Sequence, residues 1–599
     1  MQIVQQRSLV WLLVAAASCG GESVVEEGRA STHDDTRRDE LASADNVDLT
    51  DQAVAQSGSK DWLQWAHDER HSGLSSVKGQ PLRKIFADII YDPFVEEEIV
   101  STGGVLPVHY QAPLVAGNDV YMEEKTGTFS PDTYATQVWH ETKFRWVGKT
   151  LTPQWKFTSD WQPPGRVGDT LEPVFHPVIA NKFLYVPGAG GTIFKVDTRN
   201  GALVARINPH GTTVDPNKYT TSPIVADPAG NLYYNAIELP AGAAMNGFYA
   251  ADAIDAWLVK VTPAGATSRV SYSAIVANAP APTDLCEQGF LDPALRPLPP
   301  PEGTPQATRS CGVVRPPLNL APAIGADGTI YTGAAHHFVN RYSYLVALNN
   351  NLSPKWTASL RNLFTDGCGV PIGAGGTMPP NGAPSGCREG APLGVDPQTR
   401  RNGDGRLIDN GSSTPLVAPD GSIFMAAFTA YNGFRGHTVR FSAAGQYLGA
   451  YPYGSDLTPA IHRHGSTYSL IIKDNYYVDW PGLPRDFYIT QLSPTFDVEW
   501  RFKATNTDHC HRDDNDQVVC EPGDTGTFEW CMNAPAVDKN GTTYAISEDG
   551  WLYAIDQGGT MRDRIFLELA LGAAYTPASL GGDGKVYAQN AGHLFVAGK

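Results

Sequence analysis

The run Ala534-Pro535-Ala536-Val537-Asp538-Lys539-Asn540-Gly541-Thr542-Thr543-Tyr544-Ala545-Ile546, followed by Gly550-Trp551-Leu552-Tyr553-Ala554-Ile555-Asp556, decides the fold. Apolar and polar residues alternate on both sides of Asn540-Gly541. Asn-Gly accepts positive φ at low cost, so the first part predicts a tight hairpin. The second part predicts a further strand folded back on it. The phrase recurs from Ala112-Pro113-Leu114-Val115 to Tyr121, from His176-Pro177-Val178-Ile179 to Tyr185, and from Ser222-Pro223-Ile224-Val225 to Tyr233. It returns from Ala321-Pro322-Ala323-Ile324 through Asp327-Gly328 to Tyr331, and from Thr414-Pro415-Leu416-Val417 through Asp420-Gly421 to Phe424. The last two copies run from Thr458-Pro459-Ala460-Ile461 to Tyr468 and from Thr576-Pro577-Ala578 through Asp583-Gly584 to Tyr587. Trp155, Trp356 and Trp500 hold one equivalent place in the second hairpins. Four short strands per unit, repeated in series, predict an all-β, eight-bladed β-propeller of antiparallel blades, with seven blades as the alternative.

The eighth unit reaches Lys599 after three strands. Its fourth is expected from the front of the domain, where Asp61-Trp62-Leu63-Gln64-Trp65 precedes Leu82-Arg83-Lys84-Ile85-Phe86. That pairing closes the ring and removes open sheet ends. The anchor prolines lie 64, 46, 99, 93, 44, 76 and 42 residues apart, against about 40 to 45 for a bare blade. With strands lettered A to D from the axis outward, residues 122–146, 235–255 and 474–486 fall between B and C. Residues 277–317, 362–412 and 505–532 fall between D and the next A. Alternating strand direction puts both kinds of connection on one face, and long loops on a rigid scaffold are where binding usually resides. Loops that only cover the axial channel are the alternative.

The chain has 599 residues, 42% hydrophobic and 18% charged, with a formal charge of −18. So many aromatic residues exclude disorder of the whole. No apolar run reaches the roughly 18 residues of a membrane-spanning helix. The acidic balance argues against a nucleic-acid surface. Leu9 to Ala17 has the length of a signal-peptide apolar region, and Ala16-Ala17-Ser18-Cys19 resembles the bacterial lipobox. Residues 1–18 are therefore expected to be a lipoprotein signal peptide, with Cys19 the lipidated residue. An ordinary secretory signal with an incidental Cys19 is the alternative. Residues 19–60, acidic and nearly free of aromatic side chains, are expected to be a disordered tether of about 35 Å end to end. The propeller then spans 61–599. The chain is expected to be a lipid-anchored monomer of a bacterial envelope, and the lipoprotein sorting rules imply the outer membrane.

Beyond Cys19, all cysteines lie in the long D–A loops. Cys286 shares one loop with Cys311, Cys368 shares another with Cys387, and Cys510, Cys520 and Cys531 share a third. An exported protein favours local disulfides, with Cys510 pairing with either Cys520 or Cys531. Asp513, Asp514 and Asp516, and Asp404 beside Asp409, are candidate calcium ligands, although neither run has the spacing of a calcium loop. His336-His337, His462 with His464, and His509 with His511 are expected at the loop-bearing face, where imidazole pairs bind metals or move protons. Tyr476, Tyr477, Trp480, Trp139 and Trp146 form either an aromatic ligand platform or small local cores. No nucleophile, metalloprotease or phosphate-loop motif appears.

The order Pro-x-apolar, Asp-Gly, aromatic, then Leu-x-Ala-apolar-Asp with a downstream Trp resembles the quinoprotein (PQQ)-like propeller repeat. The resemblance covers roughly residues 60–599. That family includes quinoprotein alcohol dehydrogenases and the propeller lipoprotein of the outer-membrane barrel-assembly machine. In its alcohol-oxidising members, two adjacent cysteines cover one side of the quinone and a tryptophan floors the other. A Glu, an Asn and an Asp hold a calcium or lanthanide ion. This chain has no adjacent cysteines, and no such ligand set maps onto it. The expectation is therefore a binding or scaffold module whose loop-rich face takes a protein, glycan or polymer. A PQQ- and calcium-dependent dehydrogenase oxidising alcohols or sugars is the alternative.

Overall fold

Each repeat phrase folds as a hairpin, and in seven of them the aromatic residue lies opposite a small or apolar residue of strand A, while in the copy that begins at Thr458 Tyr468 faces Arg463. The pairs are Leu114 with Tyr121, Val178 with Tyr185, Val225 with Tyr233 and Ala323 with Tyr331. Leu416 faces Phe424, Ala536 faces Tyr544 and Ser579 faces Tyr587. All these aromatic rings are buried. In a computed structural model, the chain is described over residues 60–599 except 104–105, 107–109, 166–173, 244–247, 372–376, 379–385, 410–412, 430–434, 455, 477–485, 524–525, 531 and 571–576. The signal peptide, the tether, Cys19, Cys531, Tyr477 and Trp480 lie outside the described residues.

Eight four-stranded antiparallel blades form a closed ring, an eight-bladed β-propeller. Blade 1 comprises Leu114–Ala116, Asp119–Gly127, Gln137–Val147 and Thr150–Thr158, and blade 2 Val178–Ala180, Phe183–Gly188, Thr192–Asp197 and Leu203–Ile207. Blade 3 comprises Val225–Ala226, Leu232–Glu238, Asp255–Val261 and Thr267–Ser271, and blade 4 Ala323–Ile324, Ile330–His336, Ser343–Leu348 and Pro354–Ser359. Blade 5 comprises Leu416–Val417, Ile423–Ala427, His437–Phe441 and Tyr447–Tyr451, and blade 6 Ala460–His464, Thr467–Tyr476, Asp486–Leu492 and Val498–Lys503. Blade 7 comprises Ala536–Val537, Thr543–Ile546, Trp551–Asp556 and Thr560–Phe566. Blade 8 takes Ser579–Leu580, Val586–Asn590 and His593–Gly598 from the C-terminus and Lys84–Ile90 from the front, which pairs antiparallel with His593–Gly598. Residues 122–146, expected as a connection, are mostly strand. Strands B and C of blade 1 are 9 and 11 residues long, and only 128–136 connect them.

Neighbouring blades are pinned through the tryptophan positions. Trp155 of blade 1 donates Nε1–H to the Thr198 carbonyl in the C–D turn of blade 2, and Trp356 of blade 4 does the same to Ala443 of blade 5, at 3.3 and 2.9 Å. A Cβ at Gly201 or Gly445 would come within 2.7 Å of the ring it faces. Glycine is required there both for the ring's approach and for a φ above +70°.

The segment Asp61-Trp62-Leu63-Gln64-Trp65, expected near the closing strand, does something else. Residues 61–75 circle the axis and offer acceptors to the inner edges of the A strands in ring order. Val115, Ile179, Ile324, Val417, Ile461 and Val537 donate their N–H groups to the carbonyls of Trp62, Leu63, Glu69, Arg70, Ser72 and Gly73, at 2.7 to 3.0 Å. Gln64 serves blade 3 with its side chain, and Gln80 N–H reaches Gly584 of blade 8 at 2.7 Å. Buried backbone donors on an inner strand edge must find partners, and this hub supplies them. Trp65 and His71 rise from it to the anchor prolines or the residues just before them. Trp65 packs with Ala112, Ala534 and the His176 ring, and His71 Nδ1 lies 2.7 Å from the Pro415 carbonyl.

Candidate functional site

Two of the long D–A segments interlock into one cap on the loop-rich face. Within the first, Leu285–Gly289 pairs with Ala307–Ser310, and Cys286–Cys311 closes the hairpin. Cys368–Cys387 closes the second segment. The two meet where Leu298 bridges Cys387, where Arg388 N–H donates to the Leu298 carbonyl at 2.6 Å, and where Phe290 N–H donates to Gln398 at 2.8 Å. Arg401 adds an ion pair with Glu287 at 2.7 Å. The cap presents Leu285, Leu291 and Leu393 to solvent at 70, 54 and 75% exposure. The third cysteine loop is a separate hairpin, Asp508–Arg512 with Val518–Pro522, in which Cys510 pairs directly with Cys520.

Beneath these loops, buried cations tie elements together, each matched to a carboxylate from another segment. Lys125 of strand B in blade 1 lies 2.9 Å from Asp92 and 3.8 Å from Glu98, both in the segment that joins blades 8 and 1. Lys473 of blade 6 reaches Asp456 at 2.8 Å. Arg315 holds Asp409 through two parallel bonds of 2.7 and 2.6 Å, and its Nε donates to His337 Nδ1 at 2.7 Å. Arg341 spans Asp396 at 3.1 Å and Asp404 at 3.2 Å. Arg435 pairs with Asp474 and lies 3.4 Å from the Tyr476 ring centre. Removing one member of such a pair strands the other charge, which costs about 3–5 kcal/mol. The face is therefore a rigid platform.

The histidines follow the same logic. Burial, reinforced by Arg315, takes His337 down to about 3, and burial also lowers His336. Both are neutral structural groups at physiological pH. His462 and His464 are not at the loop-rich face as expected. They end strand A of blade 6, and an A strand runs toward the tight-turn face. His509 and His511 sit on the third cysteine hairpin. Trp139, fully buried, joins Tyr134, Trp161 and Phe175 in a local core rather than a ligand platform. Tyr476 ends strand B of blade 6, and Trp146 donates to the Tyr587 hydroxyl at 2.8 Å.

All the calcium candidates but Asp514 have partners of their own. Asp404 is buried against Arg341, and Asp409 against Arg315. Asp513 accepts the backbone N–H groups of Asn515 and Gln517 in the hairpin turn, and Asp516 pairs with Arg512 at 3.1 Å. Asp514 is exposed in that turn. Among the described residues, no group of three His, Cys, Asp or Glu side chains is placed to hold a metal ion. The disulfides join cysteines 25, 19 and 10 residues apart. The described residues do not fit the quinone cradle that the resemblance implies.

Sequence reasoning missed the buried charges. The signal was present in Leu470-Ile471-Ile472-Lys473-Asp474-Asn475, where charged residues continue an apolar run that is buried throughout. It also missed the hub and the cross-strand pair Glu123–Glu141, in which burial and the neighbouring carboxylate push Glu141 well up.

Fold and site together define an eight-bladed propeller with a riveted loop-rich face, a disulfide-bound cap and a filled axis. No protein-family model matches the chain, and no curated protein matches it. Among solved structures it is similar to a europium-containing methanol dehydrogenase, at 12% identity over 90% of this chain and 91% of that one, with a TM-score of 0.49. It is similar to the quinohemoprotein alcohol dehydrogenase of Comamonas testosteroni, at 10% identity over 91% and 82%, with a TM-score of 0.48. It is also similar to BamB of Moraxella catarrhalis, at 12% identity over 86% and 99%, with a TM-score of 0.39.

Proposed function

We propose that this chain is a binding module of a bacterial envelope, lipid-anchored at the outer membrane, whose loop-rich face holds a protein, glycan or other polymer. The interlocked cap carries this reading. Three leucines more than half exposed sit on a segment fixed by two disulfides and an ion pair, and exposed apolar surface on a rigid support marks an interaction site. The direction of the chain supports it too. Lys60 lies against Gly582, and Asp61 Oδ1 accepts the Gly117 N–H at 2.9 Å, both in A–B turns of the tight-turn face. An anchor joined through residues 19–60 would leave the cap turned away from the membrane.

The test compares partner recovery from native envelopes by the wild type and by Leu291→Arg/Leu393→Arg. Both leucines are exposed, so the variant should fold and lose its partner. Equal recovery would overturn the reading. In parallel, PQQ with calcium should leave the visible absorbance and Tm unchanged. A bound chromophore with a raised Tm would favour a quinoprotein oxidoreductase instead.

A further inference from the structure

At the tight-turn end of the axis, two arginines lie within electrostatic reach of each other, with few acceptors for either. Arg70, in the hub, passes its carbonyl to Val417 of blade 5. Its side chain is nearly buried, its Nε has no hydrogen-bond partner, and its nearest carboxylate is Glu69 at 3.9 Å. Arg463 lies two residues past Ile461 on strand A of blade 6, and Ile461 donates to Ser72 of the same hub. The Arg463 guanidinium is partly buried and makes no hydrogen bond or ion pair with a described residue. Burial and the neighbouring Arg70 both lower it, with Asp68 acting weakly the other way. His67, in the same turn of the hub as Arg70, is buried, with both ring nitrogens lacking a hydrogen bond and Nδ1 at 3.8 Å from Asp68.

The acids present do not satisfy this charge. Asp68 already accepts the N–H groups of Arg70 and Ser72 at 3.0 Å and the Ser72 hydroxyl at 2.5 Å. Glu69 is raised to about 7 by burial and by Asp68, so near neutrality it is a half-protonated neighbour. A buried guanidinium nitrogen without an acceptor, as at Arg70 Nε, is costly, and planar forks select oxyanions.

The geometry points to an oxyanion site at the axial mouth of the tight-turn face, formed by Arg70 and Arg463 with His67 at its edge, for a small phosphate or carboxylate group. It is independent of the loop-rich face. As Glu69 takes up its proton, the balance of His67, Asp68, Glu69, Arg70 and Arg463 becomes more positive, so acetate, whose own charge is constant over this range, binds more tightly as pH falls from 8 to 6.

Thermal unfolding and titration calorimetry of the full chain test the site, with sodium phosphate, acetate and chloride compared at equal ionic strength, for wild type and Arg463→Gln. Phosphate, acetate or both should raise the wild-type Tm relative to chloride and give measurable heats, and an acetate response should be larger at pH 6 than at pH 8. Which of the two acts identifies the ligand class. Arg463→Gln should abolish that response while matching or exceeding the wild-type Tm in chloride, since it removes a repelled charge. Equal responses to all three salts, an oxyanion response retained by Arg463→Gln, or a variant less stable than wild type in chloride would each overturn the site.

Discussion

At Gln64 the side-chain amide accepts the Ala226 N–H at 2.8 Å and donates to the Ala226 carbonyl at 3.2 Å. It thus plays the part that backbone carbonyls play at the neighbouring hub positions. Gln64→Leu would keep the apolar bulk but leave both Ala226 groups buried and unpaired. The expected loss is about 2 kcal/mol, read as a lower urea midpoint at unchanged slope. Glu69 makes a second prediction. Burial and Asp68 raise its carboxyl from the ordinary 4.5 to about 7, so the folded chain keeps a proton that the unfolded chain has released between those values. Folding stability due to this residue therefore falls as pH rises from about 4.5 to 7 and is level above that window. Glu69→Gln should flatten that part of a stability-against-pH curve. A slope equal to that of the wild type would mean that Glu69 ionises normally.

Among the elements, the interblade tryptophans behave as separable pins. Gly445 has φ +80° or more and stands against the Trp356 ring, where a Cβ would approach within 2.7 Å. Gly445→Ala should therefore push the indole out and cost about 2 kcal/mol, through both backbone strain and lost packing. Gly465 also has positive φ but meets nothing within 4 Å. Gly465→Ala should show the smaller backbone share alone, and equal losses in the two variants would deny the pin. These elements also mark how far the sequence could be read. Asn540-Gly541, Asp327-Gly328 and the prolines announce blades because turn chemistry is local. The tryptophans announce strand D, but their glycine partners lie a blade away and give no local sign. The cap was legible only as two cysteine pairs, because the contact of Leu298 with Cys387 joins segments that no periodicity connects. The hub was illegible for the same reason, since its partners are spread over the whole chain.

For the whole molecule, the front of the domain serves the ring twice. Lys84–Ile90 closes blade 8 from outside, and residues 61–75 join the blades from inside. The two roles separate experimentally, because a chain starting at residue 81 keeps the closing strand and loses the hub. The six A-strand N–H groups that donate to hub carbonyls would then face a channel emptied of Trp62 and Trp65, both almost wholly buried. Each orphaned donor costs about 1–3 kcal/mol and each lost tryptophan about 3–5 kcal/mol, which together match or exceed the about 5–15 kcal/mol that typically holds a domain folded. The shortened chain should therefore fail to unfold cooperatively and should expose its anchor segments to protease. A peptide of residues 60–80 added in trans should restore protection if the hub acts as an inserted ring. A shortened chain that unfolds in one sharp transition near the wild-type midpoint would show that ring closure alone suffices. The same coupling makes any pull on the N-terminus act at the axis, where it is shared among the blades, rather than on one outer strand. A single-molecule pull from residue 60 should therefore meet its main resistance before Lys84–Ile90 peels away.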